Sequence, residues 1–303
     1  MVCYVTGGYV SIEDCVNNGD MYSSTGTEYT YVAGIIAQFG KTTTPYPVAE
    51  TAWCSIRNCE NNGKISADRG YCGGVAAFSY GHVEIFDSVN NGPIENVDNA
   101  DGRAAGIYCA PTTRANYCSI YIRGCVNKAD IKASLRAGGI VTNLGYGAAE
   151  SSAYNYTVKS CANFGDIYLN PKDVDMGSST MYAGGVVAYA FGGSTSNSVT
   201  NCINAGNIIV DMTCNPSKTP NAGGIIGYVN GNAYTFKNNI NVGTITVSGA
   251  DVSKVSAGML VFNNSTKTPL SNTSNNYTID GGSIPTIRYA GTLTSTNATV
   301  ITA

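Results

Sequence analysis

The stretch IRNCENNGKI at residues 56–65, followed by GYCGGVAAF at 70–78, decides the architecture. Its first half reads Ile-x-x-Cys-x-Asn-x-Gly-x-Ile. The same pattern returns as IEDCVNNGDM around Asn17, IFDSVNNGPI around Asn90, IRGCVNKADI around Asn127 and VKSCANFGDI around Asn163. It continues as VTNCINAGNI around Asn204, FKNNINVGTI around Asn241 and, worn, LSNTSNNYTI around Asn275. The Asn (Asn61 in the quoted copy) and the apolar residues five before and four after it recur in all eight copies. From first Asn to last, (275 − 17)/7 gives a mean period near 36.9 residues. The second half, a small-Gly-apolar motif, alternates with the first. Its glycines are Gly34, Gly74, Gly106, Gly139, Gly185, Gly224, Gly258 and Gly291. Two motifs alternating at a fixed period mark a solenoid, whose units bury their apolar face only by stacking.

The local pattern is that of a strand. In Cys-x-Asn-x-Gly-x-Ile the recurrent residues lie two apart, the period at which side chains share one face of a strand. No stretch keeps a 3.6-residue apolar period for three turns. The expected fold is all-β, a right-handed parallel β-helix of about eight repeats, with residues 1–303 forming one domain. One coil of three short strands per repeat is expected, and eight coils spaced about 4.8 Å apart would make a rod of roughly 38 Å. The inward Ile should stack into aliphatic ladders. The Asn should sit at a corner, bonding backbone groups that the bend leaves unpaired. The Gly should allow a positive φ or a close approach of backbones.

The stretches AGGIIGY at 222–228, YAGGVVAY at 182–189 and CGGVAAF at 72–78 extend these motifs. They resemble the GLUG-motif and related β-helix repeats of bacterial surface proteins, in which a Gly-Gly-Leu/Ile-Val-Gly-Tyr strand precedes an Ile-x-Asn strand. The resemblance covers essentially the whole chain. It implies a β-helix at the cell surface and leaves the ligand open, since one fold hosts many functions.

Composition narrows the classes further. Only 12% of residues are charged, with 17 Lys+Arg against 20 Asp+Glu for a formal charge of −3, and no basic cluster occurs. A nucleic-acid partner is not expected. Hydrophobic content of 43% at low net charge argues against disorder. No apolar run approaches the roughly 18 residues of a membrane helix, so no membrane span is expected in this segment. Met1–Gly8 lacks the charged start and apolar core of a signal peptide.

MVCYVTGGYVSIEDCVN at the start overlays IIGYVNGNAYTFKNNIN at 225–241 without a gap, and Ala290-Gly291 opens a last copy of the second motif. Both ends are therefore expected to fall inside a repeat of a longer protein. Head-to-tail self-association of the uncapped ends into a filament is the alternative.

Of 11 cysteines, Cys15, Cys59, Cys125, Cys161 and Cys202 share one repeat position, expected to be an inward slot holding unbridged thiols. Cys109 and Cys118 flank the loop APTTRANY and are the expected disulfide. No Cys-x-x-Cys pair exists, and His82, the single histidine, has no ligand-spaced partner, so no metal or other cofactor is expected. Sequons occur at Asn155, Asn263, Asn264, Asn272, Asn276 and Asn297.

Function on a solenoid is expected in insertions between motifs. Residues 36–55, 108–119 and 142–156 share one corner and carry aromatics. Trp53, Tyr46, Tyr117, Tyr146 and Tyr154 form the expected glycan or protein patch, with Phe39, Tyr108 and Tyr156 nearby. Packing of these rings over the solenoid's side is the competing reading. Polysaccharide hydrolysis would need two facing carboxylates, for which Glu50, Glu150, Asp173 and Asp175 qualify by location only. Asp130 and Asp166, beside the Asn corner in adjacent coils, read as solvated surface. The expectation is a non-enzymatic extracellular or cell-surface protein, adhesin-like or a structural stalk, whose partner is a host or matrix glycan or protein. The alternatives are the filament subunit and a polysaccharide-active enzyme or its accessory glycan-binding module.

Overall fold

A computed structural model describes residues 2–5, 8–24, 29–40, 52–111, 118–145, 155–170, 172, 174–177, 179–192, 196–213, 220–230, 234–249, 256–263, 273–279, 287–289 and 298–301. Among these every regular element is a β-strand. One coil shows the plan. Trp53–Arg57 starts sheet I, Glu60–Asn61 sheet II, Ile65–Ala67 sheet III, Gly70–Gly73 sheet IV and Ala76–Ser79 sheet V. The chain then re-enters sheet I at His82–Phe86. His82 pairs Trp53, Asn90 pairs Asn61, Ile94 pairs Ile65 and Tyr71 pairs Tyr31, all in parallel. Sheets I, III and IV stack seven strands deep, and sheets II and V nine, among the described residues. The fold is a parallel β-helix with one coil per repeat.

Among the described residues seven coils have five short strands each where three were expected, because three backbone devices interrupt the coil. The first is a left-handed residue after sheet I. Asp14, Asn58, Asp87, Ser160, Asn201, Asn238 and Asn275 all have φ between 50° and 57° there, and Gly124 takes the same place at 69°. Asn and Asp tolerate this region better than other side chains, and Gly pays nothing for it. The cysteine that follows bridges the bend: the Sγ atoms of Cys59, Cys125, Cys161 and Cys202 donate to the carbonyl two residues back, at 3.2–3.4 Å. Ser88 does the same with Oγ at 2.9 Å. A small side chain with one weak donor therefore suits the slot.

The second device is the Asn ladder of sheet II. Asn61 Nδ2 donates to Gly63 O at 2.9 Å within its own turn and to Asn90 Oδ1 at 2.7 Å in the next coil. The pattern runs from Asn17 through Asn90, Asn127, Asn163 and Asn204 to Asn241. From Asn61 to Asn241 these residues are fully buried, and burial is tolerable because both amide donors are used.

The third is the glycine bend between sheets IV and V, which packs against that ladder. A Cβ on Gly139 would sit 2.5 Å from Asn163 Cγ and 2.0 Å from Gly185 O. Gly74, Gly106, Gly185 and Gly224 meet Asn90, Asn127, Asn204 and Asn241 in the same way. Close approach, rather than a positive φ, is what demands glycine at these positions. The contact pinches each coil into two lobes. Ile56, Ile85, Ile122, Val158, Val199 and Phe236 run through the lobe bounded by sheets I and V. Ile65, Ile94, Ile131, Ile167 and Ile208 run through the lobe between sheets III and IV. Each fully buried aliphatic side chain contributes roughly 1.5–3 kcal/mol.

Two expected motif positions shift by register. Asn241 pairs with Thr278, so Thr278 and not Asn275 fills the eighth ladder slot. Asn275 is instead the left-handed residue of that coil, and Asn276 takes the cysteine slot, donating Nδ2 to Phe236 O at 3.0 Å. Likewise Gly223 pairs with Gly258, which puts Met259 where the motif glycine was expected. Met259 is the residue that follows, in place of an Asn ladder partner, as acceptor for Asn241 Nδ2, through its backbone carbonyl at 2.8 Å.

Candidate functional site

On the solvent side of the glycine bend, sheets IV and V turn their outer faces toward each other. Sheet IV presents Tyr31, Tyr71, Arg103, Arg136, Tyr182 and Asn221 in consecutive register. Sheet V presents Gln38, Phe78 and Ala110, then Asn143, Tyr189 and Tyr228. On sheet IV alternation places these residues outward; on sheet V two successive residues share the outer face, Ala77 with Phe78 and Cys109 with Ala110, and the bend brings the two rows together.

The rings meet across the seam. Tyr31 and Phe78 centroids are 4.4 Å apart and stacked, and Tyr71 lies 5.1 Å from Phe78. Tyr80 meets Phe78 edge-on at 5.1 Å. Further along, Tyr182 lies 5.0 Å from Tyr189 and 5.1 Å from Tyr228. Tyr189 and Tyr228 are parallel within 6° at 5.5 Å. Two arginines separate the aromatic groups. The Arg103 guanidinium lies 4.6 Å from the Tyr71 centroid. Arg136 lies 5.1 and 5.0 Å from the Tyr182 and Tyr189 centroids and donates Nη1 to Asn143 Oδ1 at 3.0 Å. Tyr71, Phe78, Cys109 and Ala110 are buried as the floor, while Tyr31, Tyr80, Tyr182, Tyr189 and Tyr228 are half-buried and reach solvent.

Burial pushes the Tyr189 phenol up to about 12, partly opposed by a hydrogen bond with Asn230. Burial first, then Tyr80 and Tyr71, raises Tyr31, with Arg103 pulling it back. Both phenols therefore stay protonated at neutral pH, as donors and acceptors on apolar rings. The Cys109 thiol, pushed up to about 11 by burial, is a floor group rather than a nucleophile.

Of the expected aromatic patch, only Trp53 falls within the described residues; Tyr46, Tyr117, Tyr146 and Tyr154 lie outside them. Trp53 is on sheet I, stacked on His82 at 4.8 Å. The neighbouring rings are not loop residues. Phe39 and Tyr108 are inward on sheet V and Tyr156 inward on sheet I, all buried. The expected insertions thus narrow to 41–51, 112–117 and 146–154, outside the described residues.

No disulfide joins Cys109 and Cys118. Cys109 lies on the seam floor with Sγ 3.4 Å from Thr142 Oγ1, whereas Tyr108, one residue earlier, faces the opposite side. Burial raises Cys118 to about 12.

His82 Nδ1 accepts the Ser119 N–H at 2.9 Å, a backbone cap that fixes its neutral tautomer. Asp130 and Asp166 were expected as solvated surface; each caps the next coil, accepting the backbone N–H of Asp166 and Asn207 at 3.0 and 2.7 Å. Among the described residues no group of three or more His, Cys, Asp or Glu is placed to hold a metal ion. Glu50, Glu150 and Asp173 lie outside the described residues, and Asp175 is exposed. Asn276 is fully buried, which closes its sequon to a glycan. No helix among the described residues is long and apolar enough to cross a membrane.

The seam was missed in sequence although a signal existed. Tyr31, Tyr71 and Tyr182 lie three residues before motif glycines, and Phe78, Tyr189 and Tyr228 four after them. Comparison with protein-family models, curated proteins and solved structures finds no match.

Proposed function

We propose that this chain is a non-enzymatic, extracellular repeat protein of the adhesin type, which holds a saccharide along the seam between sheets IV and V. The observation that carries this reading is the half-buried pair Tyr189 and Tyr228, parallel at 5.5 Å on adjacent coils. Pyranose rings present flat patches of C–H bonds ringed by hydroxyls. Tyrosine offers the complement, an apolar face with a polar tip. Strands on both sides fix the rings in advance, so little ordering entropy is lost on binding.

The test is a glycan array followed by calorimetry on the strongest hit, comparing the wild-type chain with the Tyr189→Ala/Tyr228→Ala double variant. The wild type should bind, and the variant should lose at least tenfold while keeping its circular dichroism. A wild type silent across the panel overturns the reading. A second reading, a structural stalk without ligand, is favoured by the unbroken Asn ladder from Asn17 to Asn241 and is the conclusion that silence would support.

A further inference from the structure

Arg103 is a buried charge without a counter-charge. The residue is 7% exposed. Among the described residues its Nε and Nη1 reach no hydrogen-bond acceptor, and it makes no ion pair. The acid nearest in sequence, Asp101, is held by Arg69 Nη2 at 2.9 Å. Glu95, on the far side of the same lobe, is held by Lys64 and Lys132. Contact with the Tyr71 ring offsets part of the desolvation of the guanidinium, but the ring accepts nothing from the edge of the fork. Buried charges are normally paired and fully bonded, because an isolated one is expensive. Arg136, in register with Arg103, adds a second positive group one coil away, about 4.8 Å along the axis. The charge of Arg103 is left unbalanced by the described residues in the middle of the seam, where an anion would offset it.

Nε and Nη1 are closed to solvent, so an incoming anion meets the guanidinium at its remaining nitrogen, where an oxygen of a carboxylate, phosphate or sulfate can accept an N–H. The surroundings name the rest of the ligand. Rings flank the arginine pair on both sides, with Tyr31, Tyr71 and Phe78 toward one end and Tyr182, Tyr189 and Tyr228 toward the other. The coils of Tyr71 and Tyr182 are three register steps apart, about 14 Å at 4.8 Å per step. A linear chain of sugars lying along the axis would stack on rings at both ends and place a central carboxylate at the arginines. Resting on the saccharide reading above, we infer that the seam selects an acidic polysaccharide, one whose uronate carboxyl group is bound by Arg103.

Three polymers of matched length test it: a polyuronate, the same chain with its carboxyl groups reduced to alcohols, and a sulfated neutral chain. Each is titrated against the wild type and against Arg103→Met, which keeps the apolar stem and removes the charge. The polyuronate should bind the wild type at least tenfold tighter than its reduced form. Arg103→Met should erase that preference without changing affinity for the reduced chain. Equal affinity for native and reduced chains overturns the acidic specificity and leaves the saccharide reading standing. A sulfated chain that binds tighter than the polyuronate overturns the carboxylate assignment. If none of the three binds, the acidic specificity falls, and the glycan array decides the saccharide reading. A ligand-free measurement guards against misfolding as an explanation. Because Arg103→Met removes an unpaired buried charge, its melting temperature should equal or exceed that of the wild type, and a clear fall would overturn the premise that the charge lacks a partner.

Discussion

Each glycine bend has two sides, and the two are built by opposite rules. On the inner side the same pair recurs coil after coil: a motif glycine against the Asn of the following coil. On the outer side, the sheet IV position changes from Tyr31 and Tyr71 to Arg103 and Arg136, then Tyr182 and Asn221. Among the described residues the inner pair departs from its rule once, and both members depart together, Met259 standing in the glycine position and Thr278 in the Asn position of the coil that follows. A threonine is shorter than an asparagine, which accords with a side chain in place of the motif glycine there. Repetition therefore marks positions where neighbouring coils dictate the residue, and variation marks positions free to be specific for something else.

The comparison is broken most severely at the pinch. Gly139→Ala would put a methyl carbon 2.0 Å from Gly185 O and 2.5 Å from Asn163 Cγ, in a coil held on both sides. A loss of at least about 3 kcal/mol is expected, read as a lower midpoint in urea unfolding. If the Met259–Thr278 pairing is causal, Gly139→Ala combined with Asn163→Thr should be less damaging than the sum of the single variants by about 1 kcal/mol or more. Strict additivity would mean that the carbonyl contact alone sets the penalty.

Asn127→Ala comes next. The side chain donates to Ala129 O and Asn163 Oδ1, both at 2.7 Å, and accepts from Asn90 Nδ2 at 2.7 Å. Truncation leaves a cavity and strips bonds from two buried neighbours, for an expected loss of about 2–4 kcal/mol. Asn127→Asp should be no milder despite its identical size, because a carboxylate oxygen would then face two acceptors. An Asp variant as stable as wild type would show that size, not donation, holds the ladder.

The period, the strand character and the inward Ile, Asn and Gly positions were legible in sequence because packing between identical coils forces identical residues. The misplacements have the same physical root. In LSNTSNNYTI the spacing of flanking apolar residues selects Asn275, but a left-handed bend accepts Asn as readily as a ladder slot does, and pairing shows that the chain used Asn275 for the bend. In SAGML the Gly after a small residue matches the motif, and only register moves it one place. The seam escaped because periodicity speaks of each strand separately, and on sheet V two successive residues share the outer face. Nothing in a two-residue period says that two outward faces converge. That information lies in the bend, whose glycines were legible while their angle was not.

At the seam the two measurements should part company. Tyr189→Ala removes a half-buried ring and its contacts with Tyr182 and Tyr228, and about 1 kcal/mol of stability is expected to go with it. That is well below the effect at Gly139, while saccharide binding should fall by an order of magnitude. A Tyr189→Ala chain destabilised as much as Asn127→Ala would place the seam among the structural ladders and weaken its claim to be a site.

The smallest effect belongs to a face that is neither ladder nor seam. Glu95 stands on the outer face of sheet III, in register with Ser66 and Lys132. Burial pushes its carboxyl up, but hydrogen bonds and charge from Lys64 and Lys132 outweigh this and hold it below its ordinary value near 4.5. A carboxyl group depressed in the folded state stabilises the fold above its unfolded pKa. That contribution disappears as the pH falls from about 4.5 through the lower folded value. Since much of the group faces solvent and its ion pairs are screened, Glu95→Gln should cost no more than about 1 kcal/mol at pH 7. Melting curves of the variant and the wild type should converge once the pH has fallen below the lowered folded-state pKa. A gap that persists there would mean that Glu95 acts through packing, as the ladder residues do, and the division between dictated and unconstrained positions would have to include the outer face of sheet III.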